Sequence, residues 1–273
     1  MNQDQVKQQL LQLKTPKHDF SLIFSGKASQ RANGVYHPEK REIIIHNKNF
    51  KSDNSLMYTA IHEFAHHLHC VESPLPISSR SHTTKFWSIF HTLLFKAEEK
   101  GIYHNIFDTN DEFVTLTKRI KSEFLAQNGN LVREFGRTLI EAQELCSKHD
   151  VSFADYLDRV LRIPRESAQG MMKSHIYEIE PELGYDNMRT LTGIKDQEIR
   201  VKAQNALVQG QTPAMVKEQF TARKQSDDEV QVLITERSSL ERRISRLTTR
   251  LREIDDRLKN KGIKSDADIK AEE

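Results

Sequence analysis

The rhythm of polar and apolar residues changes along the chain, and the changes divide it. Residues 1–14 set Val6, Leu10, Leu11 and Leu13 on one side of an otherwise polar segment, the spacing of an amphipathic helix. Between residues 20 and 50 the pattern shortens to strands: Phe20-Ser21-Leu22-Ile23-Phe24-Ser25, Gly34-Val35-Tyr36-His37 and Glu42-Ile43-Ile44-Ile45-His46. Asn33-Gly34 and Pro38-Glu39-Lys40-Arg41 supply the turns. A helical period returns over residues 53 to about 71, with Asp53 or Ser55 as its cap. Leu56, Met57, Ala60, Ile61, Phe64, Ala65 and Leu68 are apolar almost all round it, which predicts a buried helix. A Pro-rich loop, Glu72-Ser73-Pro74-Leu75-Pro76-Ile77, leads into a second amphipathic helix at about 83–100, where Phe86, Phe90, Leu93 and Leu94 face the first.

Past about residue 108 no strand pattern remains. Residues 112–126 and 131–149 read as helices split by Gln127-Asn128-Gly129-Asn130. Ser152 caps a short helix, Arg162-Ile163-Pro164 turns, and residues 165–175 form another helix. This is a helix-turn-helix layout, and it makes Arg165, Gln169, Lys173 and Ser174 candidates for DNA contact. Thr212-Pro213 opens a further short helix. Val230, Leu233, Leu240, Ile244, Leu247, Leu251, Ile254 and Leu258 then follow alternating three- and four-residue steps, interrupted by Arg237, which predicts a coiled coil able to form a homodimer or fold back. The expected class is α+β. A small antiparallel sheet and a buried helix form a domain at 1–107, followed by a helical domain at 108–223, a coiled coil at 224–261 and a disordered tail at 262–273.

Composition narrows the function classes. With 37% hydrophobic and 29% charged residues in 273, the chain reads as soluble and charge-rich. No run of about 18 apolar residues predicts a membrane span, and no basic-then-apolar leader is evident, so a cytoplasmic location is expected. Two cysteines do not make a disulfide framework, and Cys70 is expected to be a small packed side chain. A net charge of +2 is too small to argue for nucleic acid by itself.

The chemistry concentrates in the buried helix. His62-Glu63-Phe64-Ala65-His66 has the HExxH spacing. His62 and His66 project one turn apart from one helix face and suit one tetrahedral Zn²⁺, while Glu63 lies about 100° round the helix and suits a general base. A metal also satisfies groups that are costly to bury unpaired. A catalytic site needs a third protein ligand. His82, entering the second helix, is the choice over His67, His69 and His91; His69 is expected as a partly exposed helix-end residue, nearly opposite His62, and His91 in packing or in hydrogen bonding behind the ligands. Glu98 and Glu99 are assigned to a solvated face, and His37 and His46 to turn and strand-face positions.

His62-Glu63-x-x-His66, a loop, and His82-x-x-x-Phe86 together resemble the SprT-like metallopeptidases, a minimal zincin branch whose third histidine sits in an HGxxF-type motif. The likeness covers about residues 15–105, with Thr83 and Thr84 standing where the motif has glycine and its successor. It implies a zincin-like core, His62, His66 and His82 as zinc ligands and Glu63 as catalytic base; other HExxH branches, such as the peptidases of regulators, share part of the pattern. In such cores an edge strand beside the metal takes an extended peptide, and residues 43–46 are the candidate here.

The leading expectation is therefore a zinc-dependent endopeptidase that acts on a protein or peptide through a zinc-bound water. Its helical domain would direct it to DNA-associated proteins, and Tyr58, Tyr103 and His104 are candidates to stabilise the oxyanion. The alternative is a non-enzymatic DNA-binding or scaffold protein whose structural zinc draws a fourth ligand from His67, Cys70 or His91.

Overall fold

The computed structural model describes residues 1–73, 82–221 and 229–261. Most of the loop expected at 72–77 and all of the tail expected at 262–273 lie outside the described residues. The architecture is α+β: a three-stranded sheet near the start, helices elsewhere.

Helix α1 (Gln3–Leu13) starts at a capping box, in which the Asn2 side chain accepts from the Gln5 N–H and the Gln5 side chain accepts from that of Asn2. Strands β1 (Ser21–Phe24), β2 (Gly34–His37) and β3 (Glu42–Ile45) follow, in the order β1-β3-β2. The sheet is mixed rather than antiparallel, because β1 runs parallel to β3 and only β2 runs against it. The most apolar strand takes the centre, where Ile43 and Ile45 are fully buried. This also corrects the expected substrate strand. Residues 43–45 are paired on both sides, so their backbone groups cannot receive a peptide, and β2 is a free edge among the described residues.

Helix α2 (Asp53–Glu72) crosses the sheet and is buried nearly all round. Ser52, rather than Asp53 or Ser55, caps it, its hydroxyl accepting from the Ser55 N–H. Helix α3 (Thr84–Glu99) packs on α2 through Phe86, Phe90 and Leu93, and one apolar core joins α1, the sheet, α2 and α3.

The expected break at 127–130 does not occur. Helix α4 (Asp111–Arg119) continues through a π-helical stretch (Ile120–Leu125) into α5 (Ala126–Lys148). Gly129 serves packing rather than turning: a Cβ there would meet the Pro181 carbonyl oxygen at 2.1 Å. Gly136 likewise lets the Met171 backbone approach. Beyond α5 come the short α6 (Phe153–Asp155), a π-helical turn (Tyr156–Leu161) and α7 (Arg165–Ile176), with Arg162 left-handed at the corner. Then follow α8 (Tyr185–Thr192), α9 (Gln197–Val208) and α10 (Pro213–Phe220). These helices have cores of their own, but α10 returns to pack on α3. Residues 1–72 and 82–221 thus belong to one compact unit, with no division at 107/108.

The second unit contains α11 (Glu229–Lys259), a single long helix. Among the described residues no helix is long and apolar enough to cross a membrane.

Candidate metal centre

The helical repeat of α2 brings His62 and His66 onto one face, with ring centroids 4.9 Å apart. His82, just before α3, completes the group: one ligand nitrogen from each ring lies within 4.8 Å of the others. His66 Nε2 and His82 Nε2 approach to 3.2 Å. Tetrahedral zinc with Zn–N near 2.0–2.1 Å sets its ligand nitrogens about 3.3 Å apart, which the His66–His82 pair matches, while His62 lies within 4.8 Å of both. Burial is the main cause holding His66 far below the usual imidazole range, at about 3, with His62, His82 and His69 adding to it. His82 is pushed down too, first by burial and then by His62. Neutral imidazole is the form that binds a metal. Among the described residues no other His, Cys, Asp or Glu completes a fourth corner.

Phe86 organises the three rings. It is fully buried, stacks on His66 at 4.2 Å and meets His82 at 4.8 Å and His62 at 5.1 Å, the last two edge-on. The sequence identifies Phe86 as a helix-packing residue; the structure adds that its ring is the floor under all three candidate ligands. Trp87 stacks on the outer side of His82 at 5.4 Å.

Glu63 is buried, and its Oε1 lies 3.2 Å from His62 Nδ1. A proton on Nδ1 directed at that carboxylate leaves the His62 lone pair on Nε2, the tautomer a metal requires. Strand β2 lies against Glu63. A Cβ on Gly34 would come within 2.8 Å of Glu63 Cγ and 3.0 Å of Thr59 Cγ2, so only glycine lets the strand sit this close.

The rival ligands have other partners. The His18 carbonyl can only accept, so His67 Nε2 donates to it at 2.9 Å, and His67 Nδ1 accepts from the Tyr36 hydroxyl at 3.1 Å. Cys70 is half-buried beside that hydroxyl; burial, and next the thiol, push the Tyr36 pKa up. His91 Nδ1 lies 2.8 Å from Thr212 Oγ1, which ties α3 to the start of α10. Glu98 is half-buried, and burial followed by Asp108 raises its pKa, so it is less solvated than expected.

His69 departs from expectation. It is 5% exposed rather than an open helix-end residue, because α3 covers this end of α2. Its Nε2 lies 3.3 Å from Thr83 Oγ1, the same oxygen that accepts from the Phe86 N–H to cap α3. Thr83, where the resembled motif has glycine, therefore pins the residue next to His82 onto α2. The Thr-for-Gly departure is visible in the sequence; its partner is not.

Of the candidate oxyanion groups, Tyr58 and Tyr103 face each other at 6.0 Å, and Tyr58 shares the Phe90 ring with His62. The backbone of His104 is bonded to the Asn54 side chain. The candidate DNA contacts separate. Arg165 is engaged by Asp158 at 3.0 Å. Ser174 is 1% exposed and donates to the Gly170 carbonyl, so it cannot reach a nucleic acid. Its position on the inner face of α7 is the reason. Gln169 is exposed and Lys173 half-buried.

No protein-family model, no curated protein and no solved structure matches the chain.

Proposed function

We propose that this protein is a zinc-dependent endopeptidase of the SprT-like kind that its motifs resemble. The observation that carries the reading is the convergence of His62, His66 and His82 beside the buried Glu63. Three imidazoles with no fourth protein ligand among the described residues suit an open catalytic site better than a closed structural one. His62, His66 and His82 would hold the zinc, which would supply Lewis acidity toward the scissile carbonyl and water. Glu63 takes the proton of the attacking water and passes it to the leaving amine. His62 Nδ1 holds the carboxylate in place, and β2 shields it from one side.

The substrate strand in this reading is β2. The bond from His46 N–H to the Asn33 carbonyl at 2.9 Å fixes the ladder phase, and bonded pairs alternate along an antiparallel ladder. The backbone groups of Gly34 and Tyr36 therefore face away from β3, toward the open edge. An extended peptide can add there, next to Glu63.

The test combines metal content with cleavage. Wild type should carry about one zinc per chain and cut an unfolded protein substrate. Glu63→Gln should keep the zinc and lose at least about a hundredfold in rate, the scale of general-base catalysis. Equal activity in Glu63→Gln, or zinc retained in His82→Ala, defeats the proposal.

A further inference from the structure

Helix α11 spans 31 residues. Its apolar seam, Leu233, Leu240, Ile244, Leu247, Leu251 and Ile254, is exposed along the whole length. A helix with so few other apolar residues gains little from propensity alone and requires a partner for that stripe. The residues flanking the seam indicate which partner, and in which direction.

The three- and four-residue steps place Arg237, Ile244, Leu251 and Leu258 at a positions and Leu233, Leu240, Leu247 and Ile254 at d positions. The g positions, just before each a, turn from acidic to basic along the helix: Glu236 precedes Arg243, Arg250 and Arg257. Two such helices side by side in parallel register would set Glu236 against Glu241 of the second copy, since g meets the following e. They would also force two Arg237 guanidinium groups together in the seam. Reversing one helix removes both conflicts; it exchanges the parallel Arg250–Asp255 attraction for Glu236–Arg250 and leaves single Arg243–Arg243 and Glu241–Glu241 approaches at the centre of the pair, outside the apolar seam. In antiparallel pairs g meets g, so Glu236 can face Arg250 of the second copy, and Arg237 falls opposite Leu247 of that copy. Within its own helix Arg237 Nε bonds Glu241 at 2.8 Å, which turns its charge out of the seam and leaves its aliphatic stem to cover Leu247. Arg250 already meets Glu253 through one guanidinium nitrogen at 2.8 Å and has other N–H groups to offer.

We propose that α11 is a dimerisation helix that pairs antiparallel with α11 of a second copy of this chain, with Glu236 and Arg250 as the orienting pair. The inference is independent of the metal centre. It is tested by sedimentation equilibrium of the full-length protein. Wild type should dimerise, and Ile244→Glu, which sets a carboxylate against Leu240 of the second copy, should be monomeric, with helix content lost from α11 alone. Glu236→Arg should weaken the dimer about five- to tenfold, because two symmetric attractions become repulsions, and adding Arg250→Glu should restore it. A parallel pair responds the other way: Glu236→Arg would relieve its contact with Glu241 and tighten association. Tightening, or no change, overturns the antiparallel assignment. A wild type that is monomeric at every concentration overturns the dimer, and protection of α11 from hydrogen exchange in that monomer would show that the seam is covered by the chain's own helices instead.

Discussion

At the scale of single residues, the site depends on close approaches that no residue advertises alone. His62, Glu63 and His66 are legible in the sequence because a helix makes four-residue spacing a spatial fact. Gly34 is not legible in that way. It reads as a turn residue, yet its missing side chain lets β2 rest on Glu63. Gly34→Ala must displace Glu63 or the strand, and Glu63 is too enclosed to swing aside. The expected result is a loss of about 1–3 kcal/mol in stability, from overpacking, with zinc content unchanged and kcat/KM lowered by about tenfold or more. Urea titration, elemental analysis and peptide cleavage on the same preparation check all three. Activity equal to wild type would show that this contact has slack. His69 illustrates the same limit: its place at the helix end implies exposure, and only the arrival of α3 buries it.

At the scale of elements, the helices were the more legible part, because amphipathic period and caps are local. Their ends were not: the Gln127-Asn128-Gly129-Asn130 segment has the composition of a turn but lies inside one helix running from α4 into α5. Tertiary contact decides this, since the Pro181 backbone occupies the space a side chain at 129 would need. Gly129→Ala is therefore expected to destabilise by about 2–3 kcal/mol although alanine is the better helix former, reversing the usual helix-propensity order. A thermal or urea unfolding curve decides it, and a stabilised variant would mean the two segments separate easily. The strands show the complementary case. Short apolar runs bounded by turn residues mark each strand, but β1 pairs past β2 with β3, so neither the parallel β1–β3 ladder nor the central place of β3 is legible in them.

At the scale of the whole molecule, the sheet region and the helices after it are coupled. Thr212 caps α10 and also meets His91 of α3, one helix beyond the candidate ligands. Thr212→Val should cost about 1–2 kcal/mol through the lost cap and bond, while Thr212→Ser should cost much less. A valine variant with wild-type stability would show that the two regions hold together without this link. Acid should also act globally on the metal-free protein. The pKa of His66 is depressed from 6.5 to about 3, chiefly by burial, and those of His67, His69, His82 and His91 are lowered with burial as the first cause. As pH falls below 6.5 the unfolded chain binds protons that the folded chain resists, so stability present above that value is lost progressively toward pH 3. Denaturant midpoints between pH 7 and pH 4 should fall steadily, and His66→Gln should flatten that fall. A pH-independent midpoint would contradict the burial of these rings.

The sequence by itself determined where most helices and the three strands lie, the HExxH face and the heptad spacing of the last helix, because periodicity and backbone propensity act over a few residues. His82 was already legible as the third member from its spacing to Phe86, and the structure brings it beside His62 and His66. Tertiary structure alone decided that Phe86 underlies all three rings, that β2 is the open strand beside Glu63, and that Ser174 faces inward. Each of these depends on which surfaces meet across long stretches of chain, where close packing and the need to satisfy buried polar groups, rather than local pattern, choose among alternatives.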